Sequence, residues 1–274
     1  MSMIIKYVNS NNQSVNLNKY PYKMLISDIL DYDPDVIENN GKIIGFNSDI
    51  VTQREVNIDI HRTKTTSARI SLSNLTDIFG IDVVARTPGR LYINDWYISC
   101  YFYGRETNRW QNDNIISCGY KILTDHPSWI QEETRQFLPS SQSESSGGLD
   151  FPFDFPFDFS ESESGYEQWN VEHYAPSHFK MIIYGPCVNP MVTINGYPRQ
   201  VFVTLEESEY LVIDSRDSTV MKYLANGTSE NAYNSRQFQP SIFEKIPGGL
   251  LNIDWQGTFG MDITLYIERS EPKW

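Results

Sequence analysis

Polar and apolar residues alternate along much of the chain, and that alternation predicts strands. In Arg54-Glu-Val-Asn-Ile-Asp-Ile-His61 every second side chain is apolar, the pattern of a strand with one buried face. Lys42-Ile-Ile-Gly-Phe46 follows Asn40-Gly41, a pair suited to the positive φ angles of a tight hairpin turn. After Pro88-Gly89, the run Arg90–Tyr103 reads as two strands around Asn94-Asp95. Residues 115–123 read as another, ended by Thr124-Asp-His-Pro127. Residues 72–80, Leu-Ser-Asn-Leu-Thr-Asp-Ile-Phe-Gly, fit a short helix with Ser73 as N-cap and Gly80 as stop. Strand-like runs follow at Lys180–Tyr184, Met191–Ile194, Gln200–Leu205, Tyr210–Asp214, Thr219–Tyr223, Leu250–Trp255 and Met261–Glu268, with turns at Asn195-Gly196 and Asn226-Gly227. Strands at roughly ten-residue spacing, with no long helix, predict an all-β protein of the sandwich type.

The pattern breaks at 139–148, Pro-Ser-Ser-Gln-Ser-Glu-Ser-Ser-Gly-Gly, which is polar and low in complexity. It predicts a linker between a domain at 1–138 and a second at 149–274, the latter expected to fold alone. Next comes Asp150-Phe-Pro-Phe-Asp-Phe-Pro-Phe-Asp-Phe159, with Phe at every odd position. An extended conformation would put all five Phe on one face. Pro152 and Pro156, four apart, would place both missing N–H groups on one edge. The expectation is an edge strand with Phe153, Phe155 and Phe157 packed inward; the rival reading is an exposed aromatic docking strip.

Charge sharpens this division. The net charge is -13, and residues 1–138 carry 14 Lys and Arg against 16 Asp and Glu, whereas 139–274 carry 8 against 19. Such a chain lacks the basic footprint that grips phosphates, so specific nucleic-acid binding is not expected. No apolar stretch approaches the ~18 residues of a membrane span, and the N-terminus has no signal-peptide pattern, so neither a membrane association nor export is expected. Cys100, Cys118 and Cys187 are too widely spaced for a zinc motif and odd in number, which predicts buried free thiols.

Catalytic signatures are missing. His173 and His178 are five apart, not the i, i+4 pair of a helical metal site; His61 and His126 stand alone. No phosphate-binding loop, dinucleotide fingerprint or nucleophile elbow occurs. Carboxylates are abundant, yet nothing singles out an acid/base pair. Asn74-Leu-Thr and Asn226-Gly-Thr match the glycosylation sequon, which carries no weight without a secretory signal. The sequence therefore predicts no catalytic residue, no cofactor and no metal ligand.

Four stretches together resemble the distal tail protein family of siphophages, the tail components of phage tail tips. They are the Phe-Pro repeat at 150–158; Ile183-Tyr-Gly-Pro-Cys-Val-Asn-Pro190 leading to a short strand and Asn-Gly turn; Glu209-Tyr-Leu-Val-Ile-Asp-Ser-Arg-Asp217; and the ending from Pro247-Gly-Gly-Leu-Leu-Asn-Ile-Asp-Trp255 through Ile267-Glu-Arg-Ser-Glu-Pro-Lys-Trp274. Leu91–Ile98 and Leu123-Thr-Asp-His-Pro-Ser-Trp129 match more loosely. The Ser/Glu-rich character of 140–147 and 160–165 departs from the family pattern. The resemblance implies an N-terminal β domain with a belt-like extension and a galectin-like C-terminal β-sandwich. It further implies a hexameric ring in the virion tail tip (baseplate), made in the bacterial host cytoplasm and acting in host attachment. Its implied partners are the tail tube protein and tail-associated lysin, fibre or receptor-binding proteins, with DNA passing through the lumen. Two other readings stay open: a host-surface carbohydrate-binding module, with Trp169, Trp255 or a nearby Tyr stacking on sugar, and a cell-wall hydrolase with a perturbed carboxylate pair.

Overall fold

A computed structural model describes residues 3–25, 28–31, 35–47, 51–111, 113–139 and 164–273. The Phe-Pro repeat, with Phe153, Phe155 and Phe157, and the polar stretch 140–148 lie outside the described residues. The chain divides into two compact units: residues 1–131 with 268–274, and residues 132–267.

The strands of the first unit are β1 (Ile5–Val8), β2 (Ser14–Asn16), β3 (Tyr22–Leu25), β4 (Asp35–Asn39), β5 (Lys42–Asn47), β6 (Thr52–His61), β7 (Gly89–Ile93), β8 (Trp96–Gln111) and β9 (Ile115–Thr124), joined by the α-helix α1 (Ala68–Ala85) and a 3-10 turn at Asp28–Leu30. β10 (Trp129–Phe137) carries the chain into the second unit at Glu132. The pairings among β1 to β9 are antiparallel. β6 and β9 run in register from Thr52↔Thr124 to His61↔Ile115, and β9 pairs on its other side with β8 across two bulges. Strict alternation sends Val56, Ile58 and Ile60 of β6 and Ile116, Cys118, Tyr120 and Ile122 of β9 to one buried face. The Asn-Gly turn at Asn40 (φ 52°) and Gly41 (φ 73°) closes β4 onto β5 as the sequence predicts, and Asn94 (φ 53°) turns β7 into β8.

The helix differs from expectation. It spans 18 residues, not 72–80; Ser67, not Ser73, is its N-cap, accepting from the Ile70 N–H; and Gly80 lies inside it. The deciding factor is the buried stripe Leu72, Leu75, Phe79 and Asp82, whose three- and four-residue spacing runs past Gly80. A mid-helix glycine costs ~1 kcal/mol, which tertiary burial of such a face outweighs. Phe79 anchors it, stacked on Phe102 at 4.1 Å and meeting Tyr7 and Tyr120 edge-on at 5.1 and 5.3 Å.

The second unit is a β-sandwich. Its strands are β11 (Ser164–Val171), β12 (His178–Tyr184), β13 (Cys187–Val188), β14 (Met191–Ile194), β15 (Tyr197–Gln200), β16 (Thr204–Leu205), β17 (Tyr210–Asp214), β18 (Thr219–Tyr223), β19 (Ser229–Asn231), β20 (Gly249–Gln256) and β21 (Met261–Arg269), the last ending in the first unit. One sheet has the order β11-β20-β14-β15; the other runs β19-β18-β17-β12-β21. Their buried faces supply Trp169, Val192, Leu251 and Ile253 from the first sheet and Phe179, Ile183, Ile213 and Ile263 from the second. The run expected as one strand over 200–205 is split: Val201 forms a single bridge to Arg236, and regular pairing resumes only at Thr204.

Candidate functional site

The residues with candidate chemistry are scattered. His61 stacks on Tyr20, His126 lies 3.4 Å from Glu268, His173 packs on Tyr174, and Nδ1 of His178 meets the Ser215 hydroxyl at 3.2 Å. Among the described residues no group of three His, Cys, Asp or Glu side chains is placed to hold a metal ion, and no helix is long and apolar enough to cross a membrane. The three cysteines are buried and free; burial pushes the Cys187 thiol up to about 11 and the Cys100 thiol higher still, which disfavours a nucleophilic thiolate.

Trp169 and Trp255, the aromatic residues singled out for sugar stacking, belong to the core of the sandwich. They are 5% and 6% exposed; Trp169 Nε1 donates to Glu133 Oε1 at 3.1 Å and Trp255 Nε1 to the Phe259 carbonyl at 3.0 Å. A Cβ on Gly165 would come within 2.2 Å of the Trp255 ring, so glycine is what admits the indole there. Neither ring offers a face to a saccharide.

Apolar surface is concentrated in two places on the first unit instead. The first is the β4–β5 hairpin, whose strands, among the described residues, pair only with each other. Val36, Ile37, Ile43 and Ile44 are 50%, 44%, 62% and 64% exposed. A bulge after Ile37 pairs Ile37 with Gly45 and Glu38 with Ile43, leaving Ile44 as the extra residue. An isolated two-stranded hairpin with apolar side chains this exposed is marginal by itself and needs a surface to lie against. The second is a cleft of about 450 Å³ between α1 and β8, floored by Phe79, Phe102 and Tyr120 and walled by Val83 and Val84. A bulge between Phe102 and Gly104 leaves Tyr103 as the extra residue, lining the cleft, and Gly80 leaves its helical wall bare. Arg105 crosses one end, its Nη1 donating to Thr76 Oγ1 at 3.3 Å. Sequence pattern gave half of this surface, the Asn-Gly hairpin. The cleft depends on residues some forty positions apart and on a bulge that no local pattern announces.

Neither a family model nor a curated protein matches the sequence. Solved structures do match, along the whole chain. A chain of the phage P2 baseplate in its activated conformation with Ca superposes with a TM-score of 0.62 at 13% identity, covering 99% of this chain and 100% of that one. The same baseplate with Sr gives 0.61 at 14%, with the same coverage. The protein thus has the all-β fold of phage baseplate and hub components. A particular structure that shares it is SPP1 Dit, described as a paradigm of the hub adsorption apparatus in phages infecting Gram-positive bacteria, at a TM-score of 0.56 and 9% identity over 98% of this chain and 100% of that one.

Proposed function

We propose that the protein is a structural component of a phage tail tip, a distal tail ring that joins the tail tube to host-recognition proteins, and that it is not an enzyme. The observation that carries this is the exposed apolar hairpin β4–β5, on a chain whose full length follows the SPP1 Dit fold. A strap on one copy and an apolar cleft on the next make a head-to-tail contact, and such contacts repeated by rotation close a ring. The hairpin is the belt, and the cleft between α1 and β8 is a surface of matching chemistry for it. The ring is hexameric, its lumen admits DNA, and its acidic balance keeps DNA from adhering. The second unit, read as galectin-like, holds lysin, fibre or receptor-binding proteins, and the burial of Trp169 and Trp255 tells against a sugar-binding role for them. Light scattering and negative-stain electron microscopy of the purified protein test the reading. Closed particles of six-fold symmetry are expected. A 31.7 kDa monomer at micromolar concentration that also forms no ring with tail proteins would overturn it.

A further inference from the structure

A third exposed cluster lies on the second unit. Arg236 sits with its guanidinium carbon 3.5 Å from the centre of the Tyr233 ring and 4.2 Å from that of Phe238, with Phe243 at 5.6 Å. Tyr233 and Phe243 are themselves stacked, 6.0 Å apart and 19° from parallel. The backbone beneath is fixed: Val201 bridges to Arg236, Gln237 N–H donates to the Gln200 carbonyl and Phe202 N–H to the Ser235 carbonyl. Yet Phe238 is 59% exposed and Tyr233 37%.

The arginine is unusual in its company. By sequence, residues 132–267 hold 7 Lys and Arg against 19 Asp and Glu. Arg236 nevertheless has no carboxylate partner among the described residues; its hydrogen bond runs from Nη1 to the Tyr233 carbonyl, at 2.6 Å. With one Nη1 hydrogen bond made to the Tyr233 carbonyl, the guanidinium keeps its other N–H donors, and a planar fork of such donors is spaced for the two oxygens of one carboxylate. Exposed aromatic rings flank it. Arginine and tyrosine set among pre-positioned aromatic side chains are the composition of a protein-interface hot spot.

We infer that the Tyr233–Arg236–Phe238 stack is a docking site for a polypeptide segment of another protein that presents one Asp or Glu carboxylate between apolar side chains. The carboxylate takes the open edge of Arg236, and the apolar neighbours cover Phe238 and Tyr233. Charge decides between a peptide and an anionic polysaccharide. A polymer with a charge on every unit would meet one cation within a strongly acidic unit and be repelled, whereas a single carboxylate with apolar flanks meets only the cation and the rings.

Random dodecapeptides displayed on a carrier, selected in parallel on the full-length chain and on R236Q, test this. Peptides enriched on the parent should share an acidic residue with apolar neighbours. A synthetic peptide of that sequence should bind the parent at least about ten-fold more tightly than R236Q or F238S, a difference of about 1.4 kcal/mol. Melting of both variants within a few degrees of the parent establishes that they fold. If R236Q does not fold, R236K replaces it, keeping the charge but losing the planar fork, and the same weakening is expected. Selection of no Arg236-dependent peptide, or equal binding by the folded variants, overturns the proposal. So does binding of polyglucuronate without binding of any peptide, which would assign the patch to polysaccharide.

Discussion

Asp82 is fully buried in α1, where a carboxylate survives only if its oxygens are occupied. Tyr7 Oη donates to one of them at 2.5 Å and Ser10 N–H to the other at 2.7 Å, so the side chain ties the helix to the first strand and the turn after it. Burial, with the nearby Asp82 adding to it, pushes the Tyr7 hydroxyl far up, so it stays protonated as the donor. Gly89 completes the arrangement, because a Cβ there would fall 2.3 Å from the Tyr7 hydroxyl. Asp82→Ala takes the acceptor from the Ser10 N–H and leaves the Tyr7 hydroxyl only the Cys100 carbonyl, 3.4 Å away, and ~2–4 kcal/mol of stability should be lost. Tyr7→Phe removes one of those donors, so the double variant should cost clearly less than the sum of the singles. Urea denaturation of the four proteins measures this, and strict additivity would refute the coupling. None of it is legible locally. Asp82 stands in Gly-Ile-Asp-Val-Val, where an acidic residue reads as solvent-facing, and its partner lies 75 residues away.

Elements were legible where one periodicity governed them. β6, β9, β12, β17 and β21 fall where alternation puts them, because each has one buried face and a slip of one residue would invert it. The helix runs past Gly80, which has the local signature of a stop, and through Ser73, which has that of a cap, because burial of Phe79 and Asp82 outweighs these local signals. The β4–β5 hairpin was legible as a turn, but its exposure was not, since Val36, Ile37, Ile43 and Ile44 would pass for core residues in any sequence scan. Changing Ile43 and Ile44 together to Ser tests what they are for. Both are more than 60% exposed, so the monomer's stability should move by less than about 1 kcal/mol. Assembly should instead be lost, because the variant leaves the strap without its apolar surface. Size-exclusion chromatography with light scattering distinguishes the outcomes: unchanged rings in the variant would remove the hairpin from the interface, and a large fall in melting temperature would make it part of the fold.

At the scale of the whole molecule, the division into two β domains rests in sequence on the polar stretch 139–148, of which residues 140–148 lie outside the described residues; we retain the division as a proposal and put the independent folding of 149–274 to the test below. The compact units divide at a different point. The chain enters the second unit at Glu132, inside β10, seven residues before that stretch. What those residues do there is specific. Phe137 is 1% exposed and packs against Trp255 at 5.7 Å and Trp169 at 6.3 Å. Glu133 accepts from Trp169 Nε1, Arg135 pairs with Glu167 at 2.8 Å, and Thr134 hydrogen-bonds Thr264 at 2.9 Å. Removing them uncovers two indoles and leaves a buried N–H unpaired, and loss of the Phe137 ring alone typically costs ~3–5 kcal/mol. That is a large share of the 5–15 kcal/mol by which a domain is held. Polar composition marks a linker without revealing that the strand before it completes the sandwich after it, because the contacts join residues from about 30 to 130 positions apart. A fragment of residues 128–274 should therefore unfold cooperatively in urea. One of residues 149–274 should give a broad, non-cooperative transition with its tryptophans already solvent-exposed by fluorescence. Sharp, equal transitions for both would show that β10 is dispensable and that the polar stretch is the working boundary. In the full-length chain, Phe137→Ala should then lower the stability of the second unit alone, read from tryptophan emission, since Trp169 and Trp255 report on that site.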